Sequence, residues 1–205
     1  MLVIAERINA TRKAIARAME ERDEEFIARE ARKQADAGAG FIDVNAGATP
    51  AGELESLKWA VKVVQQATDV PICLDSANPN ILRAALELIE GDKVMLNSAT
   101  AEEGKMVPVL ELAAEADAAV VALTMDDTGL RKTADRRMEI ATRPAQAAEE
   151  AGVPRDSLYV DPCIQPISTN PEQAVACMDA VRRIMTELEG VHTTCGLSNI
   201  SFGLP

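Results

Sequence analysis

Residues 40–76 read GFIDVNAGATPAGELESLKWAVKVVQQATDVPICLDS, and this stretch contains one complete strand–helix–strand repeat. The run Phe41–Asn45 predicts a strand, residues 51–68 predict an amphipathic helix, and residues 70–75 predict the next strand. Two neighbouring strands joined by a helix run parallel, and such a crossover is right-handed. Because both strands are largely apolar instead of alternating, we expect both faces of the sheet to be covered.

The same alternation continues in both directions along the chain. Further strands are predicted at residues 2–6, 93–97, 118–125, 158–161 and 193–199. Further helices are predicted at residues 23–38, 79–90, 101–115, 133–151 and 171–188, with residues 9–22 forming a short helix or a loop.

Strict alternation of strands and helices predicts an α/β fold with a parallel sheet. Seven regularly spaced strands favour a (β/α)8 TIM barrel whose eighth strand and helix are missing from this chain. We therefore expect residues 1–205 to form a single barrel domain that continues beyond residue 205 in the natural protein. The first strand lacks a following glycine-rich phosphate loop, which argues against a dinucleotide-binding doubly wound sheet.

Charge and composition narrow the classes of partner. The 205 residues include 33 acidic and 21 basic residues, so the formal net charge is −12. Such a chain repels nucleic acid phosphates and anionic membrane surfaces, and neither is an expected partner. No apolar run approaches the roughly 20 residues of a membrane span. The first residues also lack the basic start of a signal peptide, and we expect a cytoplasmic protein.

The cysteine residues and the basic pairs are expected to have structural roles. The four cysteines contain no C-x-x-C pair and the chain has a single histidine, so we predict reduced, buried thiols and no metal site. Two basic pairs precede or begin the helix predicted at residues 133–151. These pairs are Arg131-Lys132 and Arg136-Arg137. We interpret them as surface charges, and the alternative is that they contact a substrate tail or a partner.

Polar residues recur where the predicted strands end. The carboxyl ends of parallel strands share one rim of a barrel, and active sites lie on that rim. The strand ends carry Asp43, Asn45, Asp75, Ser76, Asn97, Ser98, Asp161, Ser198 and Asn199. Carboxylates and amides without a serine–histidine pair or a metal cluster predict a site that hydrogen-bonds a polar ring. The alternative is that individual members, Ser76 and Ser98 above all, cap helices or shape turns.

The chain resembles the pterin-binding methyltransferase family at these positions. That family includes the methyltetrahydrofolate:corrinoid protein methyltransferases and the folate domain of cobalamin-dependent methionine synthase. The resemblance covers essentially the whole chain and implies a TIM barrel. Because most members of the family are homodimers, it also implies a homodimer. It is carried by Ile4-Ala5-Glu6-Arg7-Ile8-Asn9, Gly40-Phe41-Ile42-Asp43-Val44-Asn45, Ile72-Cys73-Leu74-Asp75-Ser76, Met95-Leu96-Asn97-Ser98, Asp161-Pro162 and Gly196-Leu197-Ser198-Asn199-Ile200-Ser201-Phe202-Gly203.

The resemblance also implies roles for individual residues. Asp75, Asn97 and Asp161 are expected to bind the pterin ring. Asn199 is expected to be the catalytic residue, bonded to N5, the nitrogen that carries the methyl group. Asp43 and Asn45 are expected to support the same rim, and Ser198 to orient Asn199.

The implied reaction moves a methyl group between N5 of tetrahydrofolate and the cobalt of cobalamin, a corrinoid carried by a partner protein. Methyltetrahydrofolate or tetrahydrofolate is then a substrate. N5 is a poor leaving group unless it gains a proton or a strong hydrogen bond, and an asparagine can both donate and accept during that change. The direction of transfer stays open. Two alternatives stay open as well: a dihydropteroate synthase-like pterin enzyme, and a non-catalytic folate-binding barrel fragment.

Overall fold

A computed structural model describes residues 1–49, 52–130 and 132–204 of the chain. Three positions named in the predictions lie outside the described residues. They are residue 51 of the helix predicted at 51–68, residue 205 of the predicted domain, and Arg131. The chain divides into two compact units, Met1–Asn97 and Ser98–Pro205.

The first unit alternates strands and helices as predicted. Its strands pair side by side in chain order, and every pairing is parallel. The elements are β1 (Ile4–Asn9), α1 (Lys13–Glu21), α2 (Glu24–Asp36), β2 (Phe41–Asn45), α3 (Glu53–Ala67), β3 (Ile72–Asp75), α4 (Pro79–Leu86) and β4 (Val94–Thr100). The strand interiors supply the core, since Ile42, Val44, Leu74 and Leu96 are fully buried.

Local sequence explains where the helices of this unit begin. The Asp23 carboxylate accepts a hydrogen bond from the backbone N–H of Phe26 at 3.0 Å, so it caps α2. Asn78 caps α4 by accepting from the N–H of Asn80, and Pro79 occupies the first turn, where its missing N–H costs nothing. The predicted starts of α2, α3 and α4 were therefore correct to within two residues, whereas α1 begins at Lys13, four residues after the predicted start.

Strand β1 contains a bulge that the sequence did not reveal. Ala5 pairs with Ile42 and Ile8 pairs with Val44, so one extra residue lies between these pairs on β1. The backbone N–H of Arg7 donates instead to Gln34 Oε1 at 2.9 Å, and Gln34 lies on α2. The strand runs to Asn9, three residues past the predicted end.

The second unit repeats the α/β pattern with shorter strands. Strands β5, β8 and β9 pair in that order and are parallel. The elements are α5 (Met106–Glu115), β5 (Ala119–Leu123), β6 (Met125–Asp126), β7 (Gly129–Leu130), α6 (Ala134–Ala151), a 3-10 turn (Arg155–Ser157), β8 (Leu158–Asp161), α7 (Glu172–Glu187), β9 (His192–Thr193) and α8 (Leu197–Ile200). The antiparallel hairpin of β6 and β7 was not predicted.

The last predicted strand was wrong over most of its length. Only His192 and Thr193 form β9, and residues 197–200 form a helical turn. Thr194 still donates to the Val160 carbonyl, but beyond it the N–H of Asn199 bonds the Gly196 carbonyl at 2.9 Å. Because these backbone groups are satisfied locally, Asn199 lies on a helical turn after the strand.

The burial of the cysteines also differs in part from the prediction. Cys73 and Cys177 are buried, Cys163 is half-buried, and Cys195 is exposed. Cys195 lies in the turn after β9, away from any apolar strand interior. Over the described part of the chain, no helix combines the length and apolarity needed to cross a membrane.

Candidate functional site

The strands of the first unit bring four polar residues into one row. Asn9 pairs with Asn45, Asn45 with Asp75, and Asp75 with Asn97 across four neighbouring parallel strands. Residues in register on adjacent strands lie on the same face of the sheet. All four are half-buried, so the row borders solvent. Asn9, Asn45 and Asp75 end their strands, whereas β4 continues for three residues past Asn97.

Asp43 lies beneath this row and holds one of its members. It precedes Asn45 by two residues, so it shares a face with Asn45, and it is 1% exposed. Its Oδ2 accepts a hydrogen bond from Asn97 Nδ2 at 3.1 Å. Its Oδ1 is buried and has no hydrogen-bond partner within the described ranges. The contact fixes the orientation of the Asn97 amide.

Burial raises the pKa of the carboxyl groups of Asp43 and Asp75. Desolvation by burial, followed by repulsion from Asp75, raises the pKa of Asp43 to about 8. Desolvation also raises the pKa of Asp75 to about 6, against a hydrogen bond from Asn45 that lowers it. The pKa of Glu6 is raised by burial as well. The cluster can therefore hold a proton near neutral pH.

Asp75 and its neighbours are anchored by further hydrogen bonds. Asn45 Nδ2 donates to the Asp75 main-chain carbonyl at 3.5 Å, and Asn45 Oδ1 accepts from the N–H of Gly47. Ser76, for which a cap or turn role was the alternative, shapes the turn before α4: its Oγ accepts from the N–H of Asn78 and its hydroxyl donates to Glu53. The loop after β3 is thus fixed to the first turn of α3.

In the second unit, Asp161 ends strand β8. Its main-chain carbonyl accepts from the N–H of Thr124, and its Oδ1 accepts from the N–H of Cys163 at 2.7 Å. Cys163 has φ 56°, a left-handed conformation that few residues other than glycine adopt. The carboxylate is therefore held by a tight turn immediately after the strand.

Asn199 and Ser198 lie on the exposed helical turn α8 of the second unit. This segment is tied to the loop after β8, because Ile167 N–H bonds the Ile200 carbonyl at 3.1 Å. Gly196 approaches Asn199 closely: a Cβ at that position would lie 2.9 Å from Asn199 Nδ2. A glycine here leaves space for the Asn199 side chain.

The interpretation of Arg137 as a surface charge was wrong. Its side chain is 1% exposed, and Nε donates to the Pro162 carbonyl at 2.7 Å. Arg136, the next residue, is exposed and pairs with Glu139. Their positions on helix α6 differ by 100°, so one faces the core and the other faces solvent.

Sequence reasoning missed three residues that the geometry places at these sites. Asn9 belongs to the register row, Thr124 has a buried hydroxyl beside the Asp161 strand end, and Arg137 bonds the loop after β8. Thr124 follows the apolar run of β5, and that position was the available signal, whereas the strand before Asn9 contains the charged residues Glu6 and Arg7. For Arg137 the available signal was helical periodicity, because it precedes Ile140 and Ala141 on the buried face of α6 by three and four residues.

Comparison with known proteins identifies the family of the chain. The family described as "Pterin binding enzyme" matches residues 5–205. A methylcorrinoid:tetrahydrofolate methyltransferase of Eubacterium limosum is 37% identical over 207 residues, which cover 100% of this chain and 76% of that protein. A methionine synthase of Mycobacterium leprae is 32% identical over 215 residues, and there the chain spans 18% of the relative.

Solved structures show the fold. A dihydropteroate synthase of Xanthomonas albilineans in complex with 7,8-dihydropteroate superposes with a TM-score of 0.69 at 21% identity, covering 96% of this chain and 72% of that one. The same enzyme with 4-aminobenzoic acid superposes with a TM-score of 0.67 over 85% of this chain and 65% of that one. The α/β barrel class predicted from the sequence, short of its eighth unit, is therefore confirmed. The chain belongs to the pterin-binding enzyme family.

Proposed function

We propose that this chain is a methyltransferase that moves a methyl group between N5 of tetrahydrofolate and the cobalt of a corrinoid protein. The observation that carries the proposal is the row of Asn45, Asp75 and Asn97, which lie in register on three neighbouring strands. A flat heterocycle with several N–H groups and ring nitrogens needs such a set of fixed acceptors and donors.

Asp75 is the principal contact in this proposal. It is half-buried, so its carboxylate reaches solvent and can accept hydrogen bonds from the pterin's ring N–H and amino groups. Asn97 joins it with an amide already oriented by Asp43. Preorganised groups cost less entropy on binding than groups that must be ordered by the ligand. Asp161 is proposed as a further pterin contact, on the evidence of its fixed carboxylate.

Asn199 is the proposed catalytic residue, with Ser198 supporting its turn. The partner's corrinoid supplies the cobalt that gives or takes the methyl group. Asn199 would hydrogen-bond N5, and a bond that strengthens as charge changes at N5 lowers the barrier to transfer. Its exposed position on a short helical turn allows the side chain to adjust during the reaction.

Similarity to named proteins supports a methyltransferase over a synthase. The Eubacterium limosum relative is 37% identical across this chain, and its name specifies a methylcorrinoid and tetrahydrofolate. The dihydropteroate synthases are only 20–21% identical, which supports a shared fold alone. Both directions of transfer fit the geometry. We also propose a homodimer located in the cytoplasm, and light scattering of the purified protein would measure the first of these.

Calorimetric titration with methyltetrahydrofolate tests the proposal. The wild type is expected to bind with a Kd in the micromolar range, and Asp75→Ala is expected to weaken binding by about a hundredfold because it removes a charge-assisted contact. Asp36→Ala is the matched control, since Asp36 is an exposed carboxylate at the end of α2.

A folded wild type that does not bind the folate would refute the assignment. Equal binding by the wild type and Asp75→Ala would instead refute the placement of the pterin on this row. Circular dichroism of each variant shows that loss of binding is not loss of fold.

A further inference from the structure

Arg137 is buried in the second unit without an obvious role in the core. A charged guanidinium costs free energy to bury, and an apolar side chain of similar size would fill the same volume at lower cost. Nε donates to the Pro162 carbonyl at 2.7 Å, Nη2 to Gln173 Oε1 at 3.1 Å, and Nη1 to the Lys132 carbonyl at 3.4 Å. These three acceptors are neutral oxygens.

One peptide group joins Arg137 to Asp161. The Pro162 carbonyl that Arg137 binds and the Cys163 N–H that binds Asp161 Oδ1 belong to the same peptide unit. A peptide unit is planar, so a bond that fixes its oxygen also fixes the direction of its N–H. A cation on the oxygen also polarises the unit and strengthens the hydrogen bond that the N–H donates.

We propose that Arg137 is a positioning residue that orients the Asp161 carboxylate for the pterin through the Pro162–Cys163 peptide unit; this rests on the proposed function. Cys163 has φ 56°, a conformation that is unfavourable for a residue other than glycine. The turn would therefore relax without the bond from Arg137. Arg137 restrains the oxygen side of that turn, and the main-chain bond from Thr124 to the Asp161 carbonyl restrains the strand side. The backbone is therefore held by hydrogen bonds on both sides of the Asp161 carboxylate.

Folate binding by Arg137 variants tests this role. Arg137→Met removes the guanidinium at similar volume and is expected to raise the Kd for methyltetrahydrofolate by about tenfold, the effect of losing one buried hydrogen bond. Arg137→Lys keeps a charge and a single donor for the Pro162 carbonyl, and its affinity is expected to lie between those of the wild type and Arg137→Met. Arg136→Met is the matched control on the exposed side of the same helix.

A double-mutant cycle with Asp161→Ala separates positioning from general loss of stability. If Arg137 acts through Asp161, Arg137→Met causes no further loss of affinity in the Asp161→Ala background. If the two substitutions weaken folate affinity independently, so that their fold-changes multiply, the proposal is overturned. Wild-type affinity in Arg137→Met would also overturn it. If Arg137→Met does not fold, Arg137→Lys is taken through the same cycle.

A second readout needs no folate. Burial raises the pKa of the Cys163 thiol to about 12, so this thiol should react slowly with iodoacetamide. Arg137→Met is expected to loosen the turn and accelerate alkylation of Cys163 by about tenfold, measured by peptide mass spectrometry, while Arg136→Met leaves the rate unchanged. Faster alkylation together with no folate binding by the wild type would refute the proposed function and retain Arg137 as the anchor of this turn. An unchanged rate would refute the anchoring itself.

Discussion

Asp43→Asn is expected to stabilise the first unit relative to the wild type. The difference in free energy of unfolding between the two should grow as pH rises. Asp43 is buried, and burial raises its pKa in the folded chain to about 8 from an ordinary value of 3.8. The folded state therefore keeps a proton that the unfolded state releases. The stability contributed by this group is fully present below the unfolded pKa and is lost as pH rises through the folded pKa.

The magnitude follows from the two pKa values. Each pKa unit corresponds to about 1.4 kcal/mol. Between pH 4 and pH 7 the group loses up to about 4 kcal/mol of folding free energy, because those pH values lie between the unfolded and folded pKa. Asparagine has a similar shape, retains an acceptor for Asn97 and does not titrate, so Asp43→Asn removes this slope.

Urea unfolding followed by tryptophan fluorescence measures the effect. Trp59 is the single tryptophan, and it lies on α3 in the same unit as Asp43. The stability of the variant minus that of the wild type is expected to rise by about 3 kcal/mol from pH 5 to pH 7. Asp36→Asn, an exposed control, should give a constant difference. A difference for Asp43→Asn that stays constant within about 0.5 kcal/mol would show that Asp43 is already ionised in the folded chain.

Three further predictions follow from the site and the core. Asn199→Ala is expected to slow single-turnover methyl transfer to a corrinoid protein by about a hundredfold with little change in folate affinity; equal transfer rates would remove Asn199 from the mechanism. Gly196→Ala places a Cβ 2.9 Å from Asn199 Nδ2, so transfer should slow while thermal stability changes by less than about 0.5 kcal/mol, and an unchanged rate would mean that the Asn199 position is not critical. Leu74→Ala opens a cavity in a strand with no exposed area, and Trp59 fluorescence in urea should report a loss of about 2–5 kcal/mol; a loss below about 1 kcal/mol would contradict the packing.

The strand pattern was predictable because it depends on local sequence. The run Phe41–Asn45 was predicted with its observed bounds, and so was Leu158–Asp161. Short apolar runs bounded by polar residues indicate buried strands, and their alternation with helices indicates parallel pairing. The polar set at the strand ends came from the same reading, with binding and catalytic roles implied by family resemblance. Those roles stay predictions.

Features that depend on distant partners were not predictable. The helical turn at residues 197–200 replaced a strand because its backbone groups bond one another, which an apolar pattern does not reveal. Arg137 and Arg136 are adjacent in the sequence, although one is buried and the other exposed. The contacts that make the difference come from Pro162 and Gln173, which lie more than twenty residues away.

Residue patterning alone established the α/β class, the order of most strands and helices, and the polar residues that end β2, β3 and β8. These follow from residue periodicity and from short-range rules of chain geometry. Only the tertiary structure decided that Asn45, Asp75 and Asn97 lie in one row, that Asp43 is buried with a raised pKa, and that Arg137 binds the peptide beside Asp161. Register and burial are set by packing between segments far apart in the chain, and the free energy of a buried charge depends on that packing.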